Sequence, residues 1–298
     1  LALAAGAMGS PASADSPAST RGQLESLDEA ALASADAASA VESSQPVQGP
    51  GPVSDQDFTV ELVPTPDGLE VVVVAADARA EVVARLLVDG ISTRRWIGYS
   101  CVSGSGRYVA IAFAAEETLN DEVLRDRGAF LAVVDLDSRT VGMVAERVAL
   151  KYHSPGCGQT DQFVASRTRS DGSTELIVVD ASTATVERVL RSDQHLTFAV
   201  ADGDRVVAAA GSTVVEVNEA GAEVVKEAEG LVVDLHASAD DELSFLVVDE
   251  ESATAVRTSG GGVLVEAQEI VAVAPLGEIT WAERRDSAPS LLVGPGAE

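Results

Sequence analysis

The chain has 298 residues, of which 46 % are hydrophobic and 23 % charged, an ordinary globular composition with enough length for one large domain or two small ones. Acidic residues number 48 against 20 basic ones, for a formal net charge of −28, which repels phosphate backbones and argues against nucleic-acid binding. No apolar run reaches the roughly 18 residues that a bilayer-spanning helix needs, so the sequence predicts no membrane span.

Residues 1–14 have the features of the back half of a secretory signal peptide. A short apolar stretch from Leu1 to Met8 precedes Ala12, Ser13 and Ala14, an A-x-A pattern of the kind that signal peptidase cleaves. A merely Ala-rich tail is the alternative. The sequence therefore predicts a signal-peptide remnant and a secreted, extracellular protein.

Residues 15–56 are rich in Ala, Ser, Pro, Gly and acidic side chains and contain one basic residue, Arg21. A weak helical period runs from Gln23 to Val41, and the run from Gln45 to Pro52 has the composition of an extended linker. Such a segment buries too little apolar surface to fold by itself. We expect a disordered or weakly helical acidic tail ahead of a folded domain that spans residues 57–298.

The domain at 57–298 is predicted to be all-β. Short runs of Val, Ile, Leu and Phe are separated by Gly, Asp, Ser and Thr, which is typical of strands and turns. Runs that end at Asp135, Asp180 and Glu216 are each followed by a turn and a second strand. Units of about 40 residues with about four strands each indicate a β-propeller of five to six four-stranded blades. A β-sandwich or stacked β-domains are the alternatives.

Four turn segments suggest where the blades begin: 103–109, 154–156, 200–206 and 238–243. They resemble the S-P-D-G turn that precedes the first strand of a blade in TolB-like and YVTN-type β-propellers. On that basis we expect blade units at 58–100, 101–153, 154–198, 199–235 and 236–276, with 282–293 starting or completing another.

A charged insertion separates two predicted strands after Tyr108. Insertions of this kind project from one face of a propeller and often build a binding surface, although a neutral surface loop is the alternative. The predicted binding-loop residues are Glu116, Glu117, Asp121, Glu122, Arg125, Asp126 and Arg127.

Cys101 and Cys157 are the only cysteines, and an even count in an exported chain suggests a disulfide. Both lie at the same place in the repeat, at the start of a turn between blades, so the sequence predicts that they meet on one rim of neighbouring blades. Such a bridge would stabilise the fold by roughly 4 kcal/mol. Two unpaired core thiols are the alternative, and no third group marks either cysteine as catalytic.

The other residues that could bind a metal or take part in catalysis form only weak patterns. The three histidines His153, His195 and His236 lack the short spacings of common metal clusters and are interpreted as isolated rim residues. Asp135 to Ser138 resembles the start of a calcium loop without its later ligands, so an Asp-rich turn is the better interpretation. No nucleophile elbow, dinucleotide motif or P-loop occurs in the sequence, and we predict no catalytic residue, metal ligand or cofactor.

The stretches 95–108, 128–136 and 152–158 together resemble the propeller-like amino-terminal region of actinobacterial large secreted proteins, in which two cysteines stand in similar settings. The resemblance covers about residues 94–165 and implies export and a large, multidomain parent. It implies no catalytic residue.

The preferred interpretation is a secreted or cell-surface, non-enzymatic propeller that serves as an interaction scaffold for an unknown protein or cell-surface ligand. A metal-dependent, lactonase-like propeller hydrolase is the alternative, and attachment to a wall or a toxin-delivery chain is a third.

Overall fold

A computed structural model describes residues 58–75, 79–91, 93–237 and 243–248, together with the backbone of five further strands between 253 and 293. The predicted signal-peptide remnant at 1–14, the tail at 15–56 and the turn at 238–242 lie outside the described residues.

The described strands are short and antiparallel to their neighbours. In chain order they are β1 (Phe58–Thr65), β2 (Gly68–Ala75), β3 (Ala80–Leu86), β4 (Trp96–Val102), β5 (Tyr108–Ala115), β6 (Ala129–Asp135), β7 (Thr140–Val148), β8 (Gly156–Cys157), β9 (Gln162–Thr168), β10 (Thr174–Asp180), β11 (Thr185–Ser192), β12 (Thr197–Asp202), β13 (Arg205–Ala210), β14 (Thr213–Asn218), β15 (Gly221–Glu227), β16 (Leu231–Ala237), β17 (Leu243–Val248), β18 (Ala253–Thr258), β19 (Val263–Gln268), β20 (Ile270–Leu276), β21 (Ile279–Arg284) and β22 (Ser290–Val293).

Helical structure in the described ranges is confined to the insertion between β5 and β6. It consists of a 3₁₀ turn at Glu116–Asn120 and one short helix, α1, at Glu122–Arg127. Within the described ranges, no helix has the length and hydropathy needed to cross a bilayer.

The described strands form six sheets that follow one another along the chain. Sheets 2 to 5 comprise β4–β7, β8–β11, β12–β15 and β16–β19, while sheet 1 (β1–β3) and sheet 6 (β20–β22) have three described strands each. The first strand of each sheet contacts the first strand of the next, from β1 and β4 through to β16 and β20. The domain is therefore an all-β propeller, as predicted, in which the first strands are the inner ones.

The core lies between successive sheets. On β5, Val109, Ile111 and Phe113 pack against sheet 1, whereas Ala110 and Ala112 pack against sheet 3. Because successive side chains of a strand point to opposite faces, a middle strand with a sheet on each side is apolar throughout. This double burial explains the unbroken apolar runs in the sequence.

The predicted blade boundaries at 101, 199 and 236 are wrong by about one strand, whereas the boundary at 154 falls directly before β8, the first strand of sheet 3. The turn at 103–106 joins β4 to β5 inside sheet 2, so the predicted first unit at 58–100 contains most of the first strand of the next sheet. The units that begin at 199 and 236 likewise cut β12 and β16. The turns at 103–106 and 203–204 close the first hairpin of sheets 2 and 4 instead of leading into those sheets, whereas the segment 154–156 leads into β8 as predicted. Strand patterning does not distinguish these two positions.

Candidate functional site

The insertion at 116–127 is fastened to the connection that enters β4. The Thr93 hydroxyl donates a hydrogen bond of 2.6 Å to Glu117 Oε2, and this hydrogen bond lowers the pKa of Glu117. Arg95 Nη1 lies 3.5 Å from Glu116 Oε1. The first half of the insertion therefore has a defined position against its own sheet.

The second half is fastened to the connection that enters β8. Asp121 Oδ1 caps α1 by accepting hydrogen bonds from the amides of Val123 and Leu124. Asp126 Oδ1 lies 2.8 Å from Lys151 Nζ. The amide of the preceding residue, Leu150, donates a hydrogen bond of 2.8 Å to the carbonyl oxygen of Arg125. The insertion thus bridges two successive inter-sheet connections.

Four of the seven predicted binding-loop carboxylates and guanidinium groups therefore hold the insertion in place: Glu116, Glu117, Asp121 and Asp126. The side chains of Glu122, Arg125 and Arg127 make no ion pair with the described part of the chain. The insertion instead presents three apolar side chains to solvent, Leu119, Val123 and Leu124, with exposed fractions of 39 %, 44 % and 38 %. We call these three residues the insertion patch, which composition alone did not single out.

A cavity of about 580 Å³ lies among the inner strands, and we call it the inner cavity. Its described walls come from β4, the connection between β7 and β8, β8, β12 and β16, with one residue from β17, so four sheets contribute to it. The lining residues are Ser100, Cys101, Val102, Tyr152, His153, Pro155, Gly156, Cys157, Phe198, Val200, Val233, Asp234, Leu235, His236 and Leu246.

Two lining residues occupy equivalent bulges on neighbouring inner strands. The pairing register shifts between Thr197 and Val200 on β12 and between Val233 and His236 on β16. Within these bulges, Phe198 has a φ of 49° and Asp234 a φ of 53°. The left-handed region is uncommon for a non-glycine residue, and bulges redirect side chains. The side chains of Phe198 and Asp234 line the cavity from these positions.

An aromatic cluster forms one part of the lining. The ring centroids of Tyr152, His153 and Phe198 are 5.4–5.7 Å apart in all three pairs, within the range of favourable aromatic contacts. Tyr152 is nevertheless 71 % exposed. On the β16 side, Asp234 Oδ1 lies 3.0 Å from His236 Nε2.

His153 is a neutral imidazole at neutral pH. Burial, with the positive charge of Lys151 and the proximity of His195, lowers the pKa of His153 to about 4. Its Nδ1 atom is buried and has no hydrogen-bond partner among the described residues.

The low pKa of His153 predicts a pH-dependent stability that a His153→Phe variant lacks. His153 binds a proton near pH 6.5 in the unfolded chain and only near pH 4 in the folded chain. Its contribution to the free energy of unfolding is therefore complete above pH 6.5 and falls as the pH drops towards 4. Between pH 7 and pH 5 the free energy of unfolding of the wild type should fall by about 2 kcal/mol more than that of the variant. Urea unfolding of both proteins at both pH values measures the difference, and an equal loss in the two would contradict it.

The structure contains the predicted disulfide. Cys101 on β4 and Cys157 on β8 are bonded, with their Cα atoms 5.6 Å apart, within the usual range. The bridge joins the inner strands of neighbouring sheets and forms part of the cavity wall. The predicted place in neighbouring blades is confirmed, while the cysteines lie on strands and not at turns between blades.

The interpretation of the histidines as isolated rim residues is wrong for two of them. His153 and His236 line the same inner cavity, because the bulge on β16 and the entry to β8 bring them to neighbouring walls. The described residues nevertheless include no group of three His, Cys, Asp or Glu side chains placed to hold a metal ion.

Asp135 serves a turn, as the sequence indicated. Its Oδ1 accepts hydrogen bonds from the amides of Asp137 and Ser138, and its Oδ2 lies 2.7 Å from Arg107 Nη2. Burial tends to raise the pKa of Asp135, but these partners outweigh it and the net pKa is lowered.

No family model and no curated protein matches the sequence. Solved structures are similar in fold. They include the β-propeller domain of the Trilobed protease from Pyrococcus furiosus, at 10 % identity and a TM-score of 0.47, covering 83 % of this chain and 95 % of that chain. A prolyl endopeptidase aligns at 16 % identity with a TM-score of 0.48, covering 93 % of this chain and 46 % of the endopeptidase chain. A chain of a nidogen/laminin complex aligns at 12 % identity with a TM-score of 0.47, covering 75 % of this chain and 84 % of that chain. The present chain thus spans about half of the endopeptidase, and the likeness concerns the fold alone.

Proposed function

We propose that this protein is a secreted or cell-surface, non-enzymatic β-propeller that binds a protein partner through the insertion at 116–127. The insertion patch carries the proposal. Leu119, Val123 and Leu124 are 38–44 % exposed on a segment that hydrogen bonds and ion pairs fasten at both ends. A fixed, partly apolar surface loses little conformational entropy when a partner binds, which favours recognition.

The location is supported by the chemistry of the cysteines. Disulfides persist in oxidising compartments, such as the exterior of the cell, and Cys101 is bonded to Cys157. The A-x-A pattern at Ala12 to Ala14 and the resemblance of residues 94–165 to actinobacterial large secreted proteins point to export as well.

The charge around the insertion patch defines the partner's chemistry. The exposed residues Glu116, Glu117 and Glu122 lie close in sequence to the three apolar side chains, and the whole chain carries a formal charge of −28. A complementary partner would present an apolar contact surrounded by Lys or Arg. Opposite charges of this kind accelerate association and make it sensitive to salt.

Photo-crosslinking tests the partner surface. A photoreactive p-benzoylphenylalanine in place of Glu122 should crosslink a partner from the culture medium or cell surface of the source organism, whereas the same group in place of the exposed Glu223 on β15 should not. The yield should fall with added salt, because the proposed contact depends on opposite charges.

A matched pair of triple variants separates the patch from general stickiness. Leu119→Ser, Val123→Ser and Leu124→Ser should reduce capture of that partner by at least about tenfold. The control replaces Val224, Val225 and Leu231 with Ser, since these side chains are 46–53 % exposed and lie on sheets 4 and 5. Equal capture by the two variants would refute the proposed surface.

A further inference from the structure

The inner cavity has the dimensions of a small-ligand site. Its volume of about 580 Å³ falls within the range of small-molecule pockets, which combine apolar walls with a few polar groups. We infer that the inner cavity binds a small organic cation through an alkylammonium group, held between the Tyr152–His153–Phe198 rings and the carboxylate of Asp234. The inference does not depend on the insertion patch.

The aromatic cluster supplies one half of the site. A cation is attracted to the face of an aromatic ring within about 6 Å of its centroid. His153 and Phe198 pack against Tyr152 at 5.4 and 5.7 Å and hold its ring, while 71 % of Tyr152 remains exposed. A large aromatic surface is thus accessible to a ligand at the cavity.

The carboxylate supplies the other half. Asp234 is the one acidic residue among the described lining residues, and that lining contains no Lys or Arg. With His153 neutral at neutral pH, the described lining favours a cation over a carboxylate or phosphate ligand. The acidic surface of the chain, with its net charge of −28, also raises the local concentration of cations.

The backbone indicates that this lining is built and not incidental. Phe198 and Asp234 are both left-handed residues in equivalent bulges on β12 and β16. Such a conformation is unfavourable for a non-glycine residue and persists only where the surrounding structure maintains it. Two neighbouring inner strands with the same feature place an aromatic ring and a carboxylate in one cavity.

The histidines make binding observable on the full chain. Only three are present, so the imidazole region of an NMR spectrum contains three sets of signals, which single His→Gln variants would assign. Choline should shift the signals of His153 and His236. The neutral isostere 3,3-dimethyl-1-butanol should bind at least about tenfold more weakly, because it lacks the charge. N-acetyl-lysine methylamide, tested alongside, distinguishes an ammonium group carried by a polypeptide from a free small molecule.

Two variants and a control complete the test. Tyr152→Leu and Asp234→Asn should each weaken choline binding about tenfold while leaving the neutral isostere unchanged. Asn tolerates the left-handed backbone at position 234, and Tyr152 is too exposed for its loss to disturb the core. Glu223→Gln removes a distant exposed carboxylate and should have no effect. Equal affinity for choline and its isostere, or full affinity in both variants, would overturn the inference, as would binding without a shift of either cavity histidine. Binding of the lysine amide that is at least as tight as that of choline would support it and identify a polypeptide source.

Discussion

Replacing Cys101 and Cys157 together with Ser is expected to lower the free energy of unfolding by about 4 kcal/mol. The bridge spans a sequence separation of 56 residues, and a crosslink across a loop of this length removes much conformational entropy from the unfolded chain. Urea unfolding at neutral pH without reductant measures the loss.

Reductant provides the control for the disulfide. The wild type treated with dithiothreitol should unfold at the urea concentration of the double variant, whereas the variant should not respond. Other contacts join the same two sheets: Asp161 Oδ1 accepts a hydrogen bond of 2.9 Å from the Ser103 hydroxyl, and the Gly104 amide donates 3.1 Å to the carbonyl of Thr160. The reduced protein should therefore remain folded in the absence of urea. A urea midpoint of the wild type that is the same with and without reductant would contradict the prediction.

A second large effect is expected at Glu175. The Glu175→Gln substitution should lower the free energy of unfolding by about 3 kcal/mol. Its side chain is 4 % exposed and pairs with three arginines, Arg167, Arg169 and Arg191. Arg167 also reaches Glu146 at 2.7 Å, which connects sheet 3 to β7 of sheet 2. The amide variant leaves these cations without their buried counter-charge. The arginines are 26–71 % exposed and regain some hydration, which places the cost at the lower end for a broken buried pair.

The pH dependence of this effect has a defined sign. Burial tends to raise the pKa of Glu175, but the hydrogen bond and charge of Arg167, with Arg169 and Arg191, outweigh it and lower the pKa overall. The stabilisation is therefore complete above the ordinary pKa of a glutamate and is lost as the pH falls through the folded-state value. The difference in unfolding free energy between wild type and Glu175→Gln should be constant near neutrality and shrink in acid.

Glu223→Gln is the matched control for Glu175. Glu223 is exposed on β15 and makes no ion pair with the described part of the chain, so its replacement should change stability by less than about 0.5 kcal/mol. If Glu175→Gln behaved like this control, the buried cluster would make no net contribution to the fold.

The sequence by itself was sufficient for the fold class and the disulfide. Middle strands of a propeller are buried on both faces, so runs such as β5 and residues 129–134 of β6 are continuously apolar, and similar runs recur with the sheets. The disulfide followed from the presence of two cysteines in a chain with an export pattern. The insertion was recognisable from its length and charge, but the division of its residues between anchors and an exposed patch was not.

Only the tertiary structure shows at which strand each blade begins and that four sheets line the inner cavity. Inner strands such as β4 and β8 are only partly buried or very short, because one of their faces borders the cavity, and they leave a weak apolar pattern. The placement of Phe198 and Asp234 depends on left-handed bulges, which neither residue type signals. A cavity lined by four successive sheets depends on how those sheets pack, and packing of this kind has no local sequence signature.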